Sequence, residues 1–282
     1  MPDLAATLAQ IAADGTGYLY GGALGEKLVS RIQSAGGVIS MADLEAVSPF
    51  WEAPISAAYH DYRVNLPPPP QESFQVLLSL RTLESFNFKD LALLSSDHLD
   101  LVFRAIRIAS GVRIQNNQKN RDEIDDLLAN VDVLVARARD GEPVIGPTEN
   151  WASGGPFDHS ALKEHTTSIS VGDIEGNLVC LTQSLGSPYG SGVMVPGTGV
   201  VMNNFLNWGD LDPASPNAIR PGQRLAMCMA PTITTAAGQG VLALGTPGRY
   251  GILQTTVQAM AGYFDHGLEL PNLSPIPLCR PR

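Results

Sequence analysis

Cysteine is scarce in this 282-residue chain. There are three, Cys180, Cys228 and Cys279, widely separated and without a C-x-x-C pair. An odd, dispersed set excludes a disulfide scaffold and offers no zinc-ligand spacing, so the thiols read as buried or incidental. The five histidines show no H-x-x-x-H spacing, and no metal site is expected. No stretch reaches the roughly 18 apolar residues of a membrane span. Basic residues are outnumbered, 18 Lys and Arg against 28 Asp and Glu, for a formal net charge of −10. An acidic surface repels phosphate backbones and anionic headgroups, which excludes nucleic acid and anionic membranes as expected partners. The first residues, from Met1 to Leu8, lack the basic segment and apolar run of a secretory signal. What remains is a globular composition, 44% hydrophobic and 16% charged, in a chain long enough for one large core or two modest domains.

Apolar residues fall at helical spacing from Leu4 to Ala13, with Asp3 as the expected N-cap and Gly15 as the stop. A second helix is predicted over Gly25–Gln33, and a short one over Met41–Leu44 after Ser40. Ile55–Val64 alternates apolar and polar residues and reads as a strand. The four prolines 67–70 fit neither a helix interior nor a central strand, and read as a stiff entry loop to a helix over Glu72–Glu84. Further helices are predicted over Asp97–Ile114 and Asp122–Arg139. Between Asp140 and Lys163, Gly, Pro, Asn and Ser dominate and periodicity disappears. Such a long loop is uncommon unless it is functional or processed.

From Thr166 the pattern becomes strand-rich. Thr166–Val171 and Leu178–Ser184 flank a turn over Asp173–Asn177. Strands are expected near Gly199–Met202, Pro231–Thr235 and Val241–Leu244, followed by a helix over Ile252–Phe264. A helical front half thus gives way to a strand-rich back half just before Thr166.

The segment His165-Thr166-Thr167-Ser168-Ile169-Ser170-Val171-Gly172-Asp173-Ile174-Glu175-Gly176-Asn177 resembles the signature of the γ-glutamyltranspeptidases, in which a Thr-Thr pair opens a strand leading to an Asp-x-x-Gly-Asn hairpin. The likeness continues through Thr182 and Ser184, Tyr189-Gly190-Ser191-Gly192, Met202-Asn203-Asn204, Ala230-Pro231-Thr232 and Gly245-Thr246-Pro247-Gly248, and through Ala35-Gly36-Gly37 and the proline run in the front half. Each motif alone is weak; their shared order is specific.

That resemblance implies an α+β chain with the αββα four-layer sandwich of N-terminal-nucleophile hydrolases, expected to be incomplete. Residues 1–165 would be the end of the large, α-rich subunit region and residues 166–282 the start of the small, β-rich one, within one combined domain. A precursor would cleave its own His165–Thr166 bond, and the two products would remain together as a heterodimer. Thr166 would be the nucleophile. A threonine hydroxyl needs an adjacent base, and cleavage frees an α-amine of pKa about 8 on the same residue. Ser184 matches a family threonine that orients the nucleophile, and Gly248 matches the first glycine of an oxyanion pair. No cofactor is implied. Read without the resemblance, the Thr-Thr pair follows from β-propensity, Ser184 is a strand hydroxyl, and Gly248 and Asn203-Asn204 are turn residues.

The departures concern the substrate, a small-molecule amide. Asn204 belongs to a loop that lines the family's pocket. The positions that hold a γ-glutamyl amine are Phe205 and Trp208 here, with Asp210 or Asp212 as a replacement acid only if the loop shifts. A Ser-Ser pair that holds the carboxylate aligns with Met227-Cys228. A pocket lined by Phe205, Trp208 and Met227 suits an apolar acyl group. The second oxyanion glycine is Arg249, whose backbone N–H survives but whose side chain is strained if φ is positive. The ending Ser274–Arg282 does not resemble the family's continuation, so truncation at both ends is expected. Three readings stay open: a γ-glutamyltransferase or glutathione hydrolase, a related acylase of apolar specificity, and an inactive fragment.

Overall fold

The computed structural model describes residues 1–141 and 166–273. His165, all but the start of the Asp140–Lys163 loop, and the ending with Cys279 lie outside the described residues. The chain forms two compact units. One comprises Met1–Trp51 with Leu185–Phe205, the other Glu52–Ser184 with Leu206–Arg282.

The smaller unit carries helices α1 (Pro2–Asp14), α2 (Gly17–Tyr20), α3 (Ala23–Ser34) and α4 (Met41–Glu45). Its N-cap is Met1 and not Asp3, because Pro2 occupies the first turn, where a missing N–H costs nothing. Before α4 the Ser40 N–H and hydroxyl both donate to the Asp43 carboxylate at 2.7 Å, so the acid satisfies the orphan donor at the helix start. Leu24, Leu28 and Val195 form the core of this unit. The strand expected near Gly199–Met202 reduces to one bridge, Met194 to Val201. Gly197 and Gly199 both take positive φ there and interrupt extended backbone.

The larger unit contains β1 (Ile55–Tyr59), β2 (Tyr62–Leu66), β3 (Thr166–Gly172), β4 (Leu178–Ser184), β5 (Thr232–Ala236) and β6 (Gln239–Leu244). Its helices are α5 (Phe74–Glu84), α6 (Ser96–Gln115), α7 (Arg121–Ala129), α8 (Asp132–Asp140), α9 (Gly251–Phe264) and α10 (Leu270–Leu273). The strand expected over Ile55–Val64 is a hairpin. Alternation runs unbroken through β1 and β2 because His60, in the left-handed region at φ 53°, reverses the chain without a Gly or Pro. The helix expected over Asp122–Arg139 is two. It breaks at Asn130, whose N–H caps the Asp126 carbonyl at 3.2 Å and whose side-chain amide donates to the same oxygen at 2.7 Å.

Strands β1, β2, β5 and β6 make one antiparallel sheet in that order, and β3 with β4 makes a second. Ile55, Tyr59, Val64 and Leu66 share one continuous core with Leu77, Leu80, Leu83, Ile106 and Leu253, so helices α5, α6 and α9 cover one face of the four-stranded sheet. The β3–β4 hairpin lies against β5 and β6. Helix, sheet and second sheet therefore stack as successive layers around the hairpin that begins at Thr166.

Candidate active site

In the β3–β4 ladder Thr166 pairs with Ser184, Ser168 with Thr182, Ser170 with Cys180 and Gly172 with Leu178. Opposed residues share a face, so one face carries a file of hydroxyls. Thr166 Oγ1 donates to Ser184 Oγ at 3.2 Å, and Ser168 Oγ stands 3.5 Å from Thr182 Oγ1. Register is set at the turn. The Asp173 carboxylate accepts the Glu175 and Asn177 N–H groups at 2.9 Å and the Asn177 side-chain amide at 2.7 Å. These bonds, that of the Asn177 side chain foremost, hold Asp173 below the usual carboxylate range. A slip of one residue would turn Thr166 to the opposite face from Ser184.

Two glycines fix how the hydroxyl face seats on β6. A Cβ at Gly240 would lie 2.7 Å from Leu178 Cδ1, and one at Gly245 would collide with Ser168 Oγ and approach Cys180 Sγ to 3.1 Å. Leu178 therefore sits over the start of β6, and Cys180 and Ser168 over its end.

The segment Gly245-Thr246-Pro247-Gly248 that leaves β6 leads into unusual backbone. Gly248 is buried with φ 128°, and Arg249 is exposed in the left-handed region at φ 53°. The strain foreseen for an arginine at this position is thus present, on the order of 1–2 kcal/mol. The Gly248 and Arg249 carbonyls accept from Gly251 and Ile252 at 2.8 and 3.0 Å, which turns them into the start of α9.

Trp208 is half-buried, its ring centroid 5.1 Å from that of Tyr250 and 6.0 Å from Arg249 Cζ. Its carbonyl accepts from Asn217 Nδ2 at 2.8 Å. Asn217 also takes Gln118 Nε2 and the Ala226 N–H, each at 2.9 Å, and so fastens the loop between Trp208 and Met227. Asp210 accepts from the Ser215 hydroxyl and Asp212 from the Ala214 N–H, so both acids are engaged within their own loop. Met227 is half-buried and held through its backbone, its N–H to Pro70 O at 3.2 Å and its carbonyl to the Glu72 N–H at 2.7 Å. Cys228 is 1% exposed and packs in the core. Burial, with the Glu72 charge second, pushes its thiol up to about 12, so it is neutral at working pH.

Asn204 and Phe205 belong to the smaller unit. Asn204 Oδ1 accepts the Ser187 N–H at 3.0 Å and its Nδ2 donates to Ser187 Oγ at 2.9 Å. A Cβ at Gly186 would collide with Asn204 Oδ1, so the residue seals the bend that follows Ser184. Phe205 opens a 3-10 turn to Trp208, its N–H donating to Asn203 Oδ1 at 3.0 Å.

Sequence reasoning missed Glu72, Arg113 and Tyr250. Arg113 Nη1 meets Glu72 Oε1 at 2.6 Å and its Nε meets Gln75 Oε1 at 2.7 Å, with Glu72 1% and Arg113 3% exposed. The Arg113 guanidinium lies 4.4 Å from the Tyr250 ring centroid. Burial raises the Glu72 carboxyl, while Arg113 and Tyr250 pull it down. One signal was available: Arg113 continues the apolar stripe of Val102, Ala105, Ile106, Ala109 and Val112 on α6, where a charge needs a partner. Among the described residues no cluster of three or more His, Cys, Asp or Glu could hold a metal. No described helix is long and apolar enough to cross a membrane.

Helices over one antiparallel sheet, with a second sheet whose first strand opens on a threonine, have the layering of the N-terminal-nucleophile hydrolase fold. Cephalosporin acylase from Bacillus halodurans shares it, with a TM-score of 0.80 and 25% identity over 96% of this chain and 48% of that one. The family profile described as Gamma-glutamyltranspeptidase matches residues 1–274. This chain belongs to the γ-glutamyltranspeptidase family. It is 32% identical over 269 residues to the Acylase ACY 1 proenzyme of Pseudomonas sp. (strain SE83), covering 95% of this chain and 48% of that protein. It is 26% identical over 300 residues to the Glutathione hydrolase proenzyme of Escherichia coli (strain K12), covering 98% and 50%. The chain thus spans about half the length of the curated relatives it matches.

Proposed function

We propose that the protein is a γ-glutamyltransferase-like amide hydrolase or acyltransferase, processed before Thr166, and that Thr166 carries the reaction. The observation that supports this most is the Thr166–Ser184 hydroxyl contact at the end of a hairpin whose next rung, Ser168, packs on Gly245. Processing at the His165–Thr166 bond frees the Thr166 amine. That amine takes the hydroxyl proton as Oγ1 attacks the amide carbonyl, and Ser184 holds the oxygen in line. The oxyanion is received by the backbone N–H groups of Gly248 and Arg249. Collapse breaks the C–N bond, and the departing amine receives the proton from the α-ammonium. Water or an acceptor amine then attacks the acyl-threonine, gives up a proton to the α-amine, and restores Oγ1–H. The two processed pieces remain together as a heterodimer, since β3 and β4 of the second piece seat on a sheet that includes β1 and β2 of the first.

Trp208 favours a second reading, an acylase of apolar acyl specificity. A half-buried indole at a position where the family holds a γ-glutamyl amine suits an apolar acyl group, and Asp210 and Asp212 accept hydrogen bonds within their own loop. Asn204, Phe205, Met227 and Arg249 complete the proposed substrate-facing set, and Cys228 is assigned to the supporting wall behind Met227.

Turnover of a γ-glutamyl anilide compared with phenylacetyl and adipyl anilides separates the two readings, and a clear preference for the second pair removes the first. Intact mass tests processing. Two pieces, the smaller starting at Thr166, are expected from the wild type and one from Thr166→Ala. A wild type that stays whole and hydrolyses none of these anilides refutes both readings.

A further inference from the structure

Within the larger unit, four side chains form one column: the Arg249 guanidinium 6.0 Å from the Trp208 ring, Trp208 5.1 Å from Tyr250, and Tyr250 4.4 Å from the Arg113 guanidinium. Glu72 anchors its inner end through the 2.6 Å bond to Arg113. The same residue reaches the other wall through its backbone, since the Glu72 N–H donates to the Met227 carbonyl at 2.7 Å. A residue just before α5 thus touches both the Met227 backbone and, through Arg113 and Tyr250, the loop of Gly248 and Arg249.

A buried ion pair is a poor device for stability alone, because taking two charges out of water offsets most of their attraction. It is a good device for fixing direction. The planar guanidinium meets Glu72 with one nitrogen, Gln75 with another and the Tyr250 ring with its face, and so has one orientation. The backbone just before Tyr250 needs such a support. Arg249 sits at φ 53°, and a strained residue keeps that conformation only when its surroundings over-determine it. The Tyr250 side chain is the nearest handle, one residue away, with Arg113 4.4 Å over its ring, Trp208 tilted against it at 5.1 Å and its hydroxyl bonded to Glu72.

We infer that Glu72 and Arg113 are positioning residues: acting through Tyr250, they hold the Gly248–Arg249 backbone in its strained form, while the Glu72 N–H fixes the Met227 backbone. Calling that backbone an oxyanion donor rests on the acyl-transfer reading; the positioning itself does not. Glu72 and Arg113 touch no substrate. They keep two donors aimed that would otherwise relax toward ordinary φ.

The test separates positioning from folding. Four variants of the full chain are compared with wild type: Glu72→Gln, Arg113→Lys, Tyr250→Phe and the double variant Glu72→Met with Arg113→Leu. Apolar replacement of a whole buried pair commonly preserves stability, so the double variant is expected to unfold at the wild-type urea midpoint. Amide hydrogen exchange in residues 245–252 is expected to speed about tenfold or more in it, with β1 and β2 unchanged. Arg113→Lys, which keeps the charge and loses the plane, is expected to show the same loop effect, and Tyr250→Phe, which keeps the ring but loses the hydroxyl bonded to Glu72 and Arg113, a smaller one. Where anilide turnover is measurable, kcat falls on the order of tenfold to a hundredfold with KM little changed. Wild-type protection of residues 245–252 in the double variant overturns the inference, as does loosening spread evenly over the sheet. Exchange needs no turnover, so a chain that hydrolyses nothing loses the acyl-transfer reading while the exchange comparison still decides this one.

Discussion

Thr166 and Ser184 face each other as the last cross-strand pair of a seven-residue ladder, their hydroxyls 3.2 Å apart. This is longer than the usual hydroxyl–hydroxyl bond of about 2.7–2.8 Å, so in the proposed reaction Ser184 would orient Thr166 more than activate it. Ser184→Thr is therefore predicted to retain activity, and Ser184→Ala to lose about tenfold in kcat, less than the roughly hundredfold or more of a general acid–base group. Steady-state kinetics on the preferred anilide decide it; equal rates for Ala and wild type would remove Ser184 from the mechanism.

Arg249→Gly relieves a left-handed side chain at φ 53°. Glycine gives back part of the gain as unfolded-chain entropy, so the net expectation is about 0.5–1 kcal/mol of added stability. Urea unfolding measures it. A destabilised Gly variant would mean that the Arg249–Trp208 contact outweighs the strain.

Gly245→Val places a branched side chain where Ser168 Oγ and Cys180 Sγ already stand. Overpacking of this kind costs about 1–3 kcal/mol. The hairpin should lift from β6 first, seen as faster proteolysis within β3 and β4 than within β1 and β2. Self-cleavage before Thr166 should slow in parallel, followed by intact mass.

His98 and His266 stand 4.9 Å apart by ring centroid, both against Phe88. His98 Nδ1 and His266 Nε2 are enclosed without a hydrogen-bond partner among the described residues. Burial lowers both pKa values, the neighbouring His266 adds to the effect on His98, and Asp265 opposes it in each. The unfolded chain therefore binds these protons more readily, so the stability they allow is present above about pH 6.5 and is lost progressively as pH falls from there through the lowered folded-state values. Glu72 acts in the opposite sense, since its raised carboxyl takes up a proton first in the folded state. The urea midpoint should fall between about pH 8 and about pH 5.5 in the wild type, and fall less in His98→Phe. An identical fall in both proteins would exonerate the pair.

The hairpin at Thr166 was legible because local rules govern it. Alternation, an Asx-type turn and Gly176 at φ 85° specify a ladder with no help from distant residues. The same alternation misread Ile55–Val64, because a two-residue turn at His60 and Asp61 carries no Gly, Pro or Asn to announce it. Of the site, the sequence order of motifs pointed to Thr166, Ser184 and Gly248. The support beneath them did not appear, because Glu72 and Arg113 are 41 residues apart and Tyr250 lies far beyond both. Pairings made only by tertiary contact leave no periodic trace, except as a charge out of place on an apolar stripe. Cys228 shows the converse: alignment placed it at a polar substrate position, while packing encloses it beside Ala230.

The Trp208–Tyr250 stack has an optical consequence. Trp51 is fully open to solvent, whereas Trp208 is half-buried against a phenol ring with a guanidinium near its own ring. With Trp51 replaced by phenylalanine and Trp151 likewise, the remaining indole emission would come from Trp208 alone. An acyl compound settling beside Trp208 would then announce itself as a spectral shift before any bond is broken.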